Sequence, residues 1–148
     1  MELLKQLCTI HSPSGNEVKM KQFILQHLEE HSASFKCKPE VIYGNEIQDC
    51  IILKFGNPKV AVFAHMDSIG FTVKYNKEII KIGGPKVDDS YELVGKDSIG
   101  YIDAGMLIIE DENDNKRIEY VFDREIDRGT ELVFKPNWRE TTDYVQCC

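Results

Sequence analysis

Residues Val60-Ala61-Val62-Phe63-Ala64-His65-Met66-Asp67-Ser68-Ile69-Gly70-Phe71 restrict the fold of this chain more than any other stretch. Five apolar residues suited to extended backbone lead into a histidine and, two positions on, an aspartate. Such a run predicts a buried strand of an α/β sheet that delivers a metal-type ligand at its carboxyl end. Side chains alternate along a strand, so His65 and Asp67 point the same way if the strand persists. A neutral imidazole suits Zn²⁺ or a similar divalent ion, and a neighbouring carboxylate fixes its tautomer and raises its basicity.

The rest of the chain sets limits on this reading. With 148 residues it has room for one ordinary domain or two small ones, and its 42% hydrophobic content is that of a globular protein. A net charge of −7 leaves no basic surface to displace counterions from a nucleic-acid backbone. No apolar run approaches the roughly 20 residues needed to cross a bilayer. The first residues, Met1-Glu2-Leu3-Leu4-Lys5, read as an amphipathic helix rather than a secretion signal. The expected setting is therefore cytoplasmic, with no membrane and no nucleic acid as partner. The cysteines number five, with no finger-type spacing, and Cys8, Cys37 and Cys50 read as reduced thiols.

The order of elements changes character midway. Ser14 and Glu17 form an S-x-x-E pattern that predicts a capping box, followed by a helix carrying Met20, Phe23, Ile24 and Leu28 on one side. Strands are expected at residues 41–43, 50–55 and 59–64, separated by Gly44-Asn45 and Gly56-Asn57-Pro58. Beyond Phe71 the helical periodicity disappears. Short alternating runs recur at residues 71–75, 78–82, 100–102, 106–109, 118–122 and 131–134, the pattern of a small β-barrel or sandwich.

Other chemistry-bearing clusters read as ordinary surface. His27 and His31 sit four apart on the second helix, a spacing able to share one metal, but no acidic or sulfur ligand is fixed beside them. His11 is a polar residue of the turn before Ser12-Pro13. Asp111-Glu112-Asn113-Asp114-Asn115 lacks the glycine and terminal glutamate of a calcium loop and is read as a charged hairpin tip. Asp123, Asp127 and Arg128 are read as a solvated ion-pair set. No Gly-x-Ser-x-Gly elbow occurs, and no cysteine has a histidine partner in sequence.

The stretch His65-Met66-Asp67-Ser68-Ile69-Gly70-Phe71 resembles the signature of the M42 metallo-aminopeptidases, the glutamyl or deblocking aminopeptidase type. Ser68 stands where that family commonly has an acidic residue. The likeness continues upstream, where Leu3-Leu4-Lys5-Gln6-Leu7 and Ser12-Pro13-Ser14-Gly15-Asn16-Glu17 resemble its opening helix and turn. Downstream, Gly129-Thr130-Glu131-Leu132-Val133-Phe134-Lys135-Pro136 is similar to the segment closing its small inserted β domain.

The resemblance implies an α/β fold. Residues 1–72 would be the N-terminal part of a mixed-sheet metallopeptidase domain, and residues 73–148 an inserted, PDZ-like β-barrel domain. It implies a metal-dependent aminopeptidase that removes N-terminal residues from peptides with two Zn²⁺ or Co²⁺ ions. His65 would be a metal ligand and Asp67 the catalytic carboxylate that orients it. A homo-oligomer is expected, because strand edges and apolar surface around Ile51, Leu53, Val62 and Phe63 need cover. The family's bridging aspartate, general base and later ligands have no matching positions here, so the expectation is a truncated chain that is inactive alone. The alternatives are a non-catalytic assembly or peptide-binding module, and an M20-type metallopeptidase or deacylase.

Overall fold

A computed structural model describes residues 2–147. Helix α1 covers Glu2–Thr9 and helix α2 Val18–Glu30, close to the periods read from the sequence. The capping box does not form. Helix α2 starts at Val18, with Glu17 at its cap position and no side-chain cap bond. Gly15 adopts φ +91°, and the tight turn brings its N–H to the Glu17 carboxylate at 2.7 Å. The hydroxyl of Ser14 is thereby released to another partner. Neither helix contains a fully buried residue.

Strand β1 (Glu40–Ile42) and strand β2 (Ile52–Lys54) form an antiparallel hairpin in which Val41 faces Leu53. The predicted strand at residues 59–64 is absent: the segment is irregular. Val62 is 92% and Phe63 91% exposed. A strand needs a neighbour for its N–H and C=O groups. Among the described residues, β1 and β2 pair only with each other, and residues 59–64 join neither of their outer edges.

From Gly70 onward the chain closes on itself. Strands β3 (Gly70–Val73), β4 (Glu78–Ile82), β5 (Glu92–Lys96), β6 (Tyr101–Glu110), β7 (Lys116–Val121) and β8 (Glu131–Phe134) make a barrel in the order β3-β4-β7-β6-β5-β8. Every neighbouring pair in it is antiparallel. The expected β-barrel is therefore present, with the two runs 100–102 and 106–109 fused into β6 and with β5 added. A last hairpin joins β9 (Trp138–Glu140) to β10 (Val145–Cys147).

Strand alternation fills the barrel. Ile102, Ala104 and Met106 of β6 point inward, beside Leu93, Phe71, Val73, Ile79, Ile118 and Leu132 from the other strands. Phe71 meets Phe134 edge to face, with centroids 5.3 Å apart. Gly95 lies opposite both Ile102 and Leu132. A Cβ there would come within 2.7 Å of the Glu131 carbonyl oxygen and the Leu132 side chain. Tyr120 is buried, and its hydroxyl oxygen accepts the buried N–H of Ile126 at 2.9 Å, fastening the loop after β7.

The ion pairs expected of Asp123, Asp127 and Arg128 are replaced by others. Arg124 grips Asp97 through both terminal guanidinium nitrogens, Asp127 accepts from the Ser98 backbone and hydroxyl, and Arg128 lies over the Tyr75 ring. The side chain of Asp97 also accepts the N–H groups of Ile99 and Gly100 at 3.0 Å. With Arg124 first among the causes, these donors hold its carboxyl well below the usual carboxylate range.

The N-terminal residues seat against the barrel mouth. Ser68 N–H donates to the Ser12 carbonyl at 2.7 Å and Ser14 N–H to the Ser68 carbonyl at 3.2 Å, a short parallel bridge just ahead of β3. Gly70 permits the approach: a Cβ on it would lie 3.0 Å from the Leu132 carbonyl oxygen and 3.2 Å from Pro13. Lys5 reaches Glu140 and the Trp138 ring, and the Asn16 amide donates to Glu131 at 2.8 Å. Among the described residues no helix is long and apolar enough to cross a membrane.

Candidate functional site

His65 and Asp67 lie in the irregular segment that runs into β3, outside any strand. They nevertheless meet. The Nδ1 atom of His65 is 2.9 Å from the Asp67 carbonyl oxygen and 3.3 Å from its Oδ1. Neighbouring positions with the same orientation were expected from strand alternation; irregular backbone brings the two groups together instead. The imidazole side chain is 88% exposed and the carboxylate 39%.

The other carboxylate oxygen of Asp67, Oδ2, accepts the Ser14 hydroxyl at 2.5 Å. That hydrogen bond outweighs the opposing desolvation and, with lesser help from the backbone N–H of Asp67 and the nearby His65, holds the Asp67 carboxyl below the usual range. Both acceptors around Nδ1 are oxygens without a proton to give, so Nδ1 carries the hydrogen in the neutral ring. Nε2 then keeps a lone pair and faces solvent. This is the form in which an imidazole ligates a metal while a carboxylate holds its far side.

The donor set fits one position of a divalent-metal centre: a histidine with its orienting aspartate. Among the described residues, no group of three or more His, Cys, Asp or Glu side chains gathers where a metal ion could be held. A hydrolytic zinc centre takes three protein ligands and a water, of which His65 could furnish at most one.

Sequence reasoning missed Ser14, which it had placed in a cap. No local signal could have shown that a residue 53 positions upstream closes on Asp67. The remaining candidates separate by geometry. His27 and His31 stack at 4.0 Å, and Nδ1 of His31 contacts the His27 carbonyl oxygen at 2.9 Å, so the pair closes the end of α2. Asp111 accepts the N–H groups of Asn113 and Asn115 at 2.9 Å, which organises the β6–β7 tip as a hairpin turn. His11 is half-buried in a cleft of about 460 Å³ beside Lys19, Asn16, Tyr101 and Glu131. Burial, then the Lys19 charge, pushes its pKa down. Cys8, Cys37 and Cys50 are free thiols.

No protein-family model matches the chain. Over 80 residues, 53% of its length, the chain is 34% identical to the protein named "Putative aminopeptidase FrvX" from Escherichia coli (strain K12). The matched stretch spans 20% of that protein.

Proposed function

We propose that this chain is the N-terminal portion of a metal-dependent aminopeptidase of M42 type, acting on the N-terminal residues of peptides. The observation that carries the reading is the His65–Asp67 pair, in which Nδ1 is held by Asp67 and Nε2 is open. The 34% identity over 80 residues to the protein named "Putative aminopeptidase FrvX" supports it. Residues 1–72 would belong to the peptidase domain and residues 73–148 to an inserted barrel domain, with the junction inside β3.

In this reading a divalent ion, Zn²⁺ or Co²⁺ at two positions in a complete site, would polarise the scissile carbonyl and acidify water. The residues of this chain have narrower tasks. His65 holds a ligating nitrogen in place, and Asp67 keeps the proton on the opposite nitrogen. The other ligands and the general base would come from polypeptide beyond the share of the relative spanned here. A cytoplasmic location and a homo-oligomer complete the proposal. The bare apolar side chains of Val60, Val62 and Phe63 support association, since contiguous exposed apolar surface marks contact sites.

Calorimetry and NMR titration with Co²⁺, paired with an aminoacyl-nitroanilide assay, test the reading. The expected result is weak Co²⁺ binding that His65→Ala removes, with no appreciable turnover by the chain alone. Binding indifferent to His65→Ala would overturn the metal assignment. Robust hydrolysis that persists with chelator would overturn metal dependence.

A further inference from the structure

We propose that Ser14 is a positioning residue of the metal site: by holding Asp67 it fixes His65 in the Nδ1–H tautomer, with Nε2 left to ligate. The inference rests on the reading of His65 as a metal ligand and adds a third member to that arrangement.

Asp67 is partly exposed and lies on irregular backbone, so nothing in secondary structure sets its side-chain torsions. Two contacts do. Oδ2 accepts the Ser14 hydroxyl at 2.5 Å, and Oδ1 stands 3.3 Å from Nδ1 of His65. The two oxygens thus divide the work, and rotation of the carboxylate would break both contacts together. Losing the Ser14 contact frees that rotation and leaves His65 to choose its tautomer against the Asp67 carbonyl alone.

Ser14 can act as an anchor because its own backbone is fixed. Its N–H donates to Ser68, Ser68 N–H donates to Ser12, and Ser12 and Pro13 are fully buried. Pro13 in turn packs where Gly70 opens the wall of the barrel. The order of support therefore runs from the barrel through the 12–14 segment to Asp67 and then to His65. A hydroxyl is the right group at position 14: it donates one hydrogen bond to an anion without adding a charge that would repel a cation at Nε2.

Long-range ¹⁵N–¹H spectra of the parent chain at about pH 8.5, above the usual histidine range, read the tautomer directly. The expected spectrum shows His65 dominated by Nδ1–H. In Ser14→Ala the Nε2–H form should rise, and the Co²⁺ dissociation constant should weaken by about 3- to 10-fold, less than the loss of a direct orienter of a ligand. Ser14→Thr keeps the hydroxyl and should restore both. Unchanged barrel amide resonances separate this from a folding effect. A parent chain dominated by Nε2–H would overturn the proposal without any variant, as would Ser14→Ala that matches the parent in tautomer and affinity. Should Co²⁺ binding survive His65→Ala while the tautomer still follows Ser14, the metal reading fails and the positioning role stands.

Discussion

The barrel and the segment before it carry comparable hydrophobic patterning yet reach opposite ends. Inside the barrel, Phe71, Leu93, Ile102 and Leu132 are fully buried, and each strand has a neighbour on both sides. Among the described residues before Gly70, only Ser12 and Pro13 are buried, and the most strand-like run of the sequence stands bare. Pattern alone does not decide the difference. The barrel takes all of its strands from one continuous stretch, so every strand finds its partners within that stretch. The pairs β3–β4, β5–β6 and β6–β7 are hairpins, and β4–β7, β5–β8 and β3–β8 close the ring. A strand meant for a doubly covered sheet depends on layers from elsewhere in a fold.

Twin substitutions give the sharpest test of that contrast. Phe71→Ala should cost the barrel about 3–5 kcal/mol, read as a drop in the denaturation midpoint, because it empties a fully enclosed site. Phe63→Ser should leave the same midpoint within about 0.5 kcal/mol while lowering light scattering from associated chains. Equal losses from the two would mean that residues 59–64 pack somewhere after all.

A smaller effect is expected at Tyr120. Tyr120→Phe keeps the ring and leaves the buried N–H of Ile126 without its acceptor, a cost of about 1–2 kcal/mol in chemical denaturation. Hydrogen exchange at Ile126 should quicken, and the N-terminal helices should not respond.

Acid separates the two regions more gently. The carboxyl of Asp97 lies below its ordinary value, chiefly because of Arg124. Its contribution is therefore fully present above the unfolded value of about 4 and is lost as the pH falls from there through the folded value. Thermal unfolding should hold steady down to about pH 4 and then decline. Asp97→Asn should flatten that decline while lowering stability at neutral pH. An acid limb identical in the variant would remove Asp97 from the account.

How much of this was legible depended on how local each signal was. Strands β4 and β8 were readable with their observed bounds, because Glu78–Ile82 and Glu131–Phe134 are short apolar runs bounded by turn residues. Strand β5 escaped notice, since the only fully apolar neighbours Leu93 and Val94 run into Gly95, a residue that weakens strands in isolation. Here that glycine is required by the approach of Glu131 and Leu132, a fact of the closed barrel. Ala104-Gly105 divided β6 in the reading for the same reason. At the site, His65 and Asp67 stand two apart and could be nominated together; Ser14 could not. Its S-x-x-E spacing offered a plausible local use, and the true partner was chosen by the bridge between Pro13 and Ser68.

That bridge has a mechanical consequence. The chain leaves the barrel after Ser14 and Asn16 and returns to it at Ser68, so the bridge and the Asn16–Glu131 bond beside it would serve as the fulcrum for any swing of α2 and the β1–β2 hairpin. Displacement grows with distance from a fulcrum. Ser14 and Asp67 sit beside it, with His65 two residues further along, where the lever arm is shortest. A displacement of the helix or the hairpin would therefore leave the spacing of these three side chains least changed.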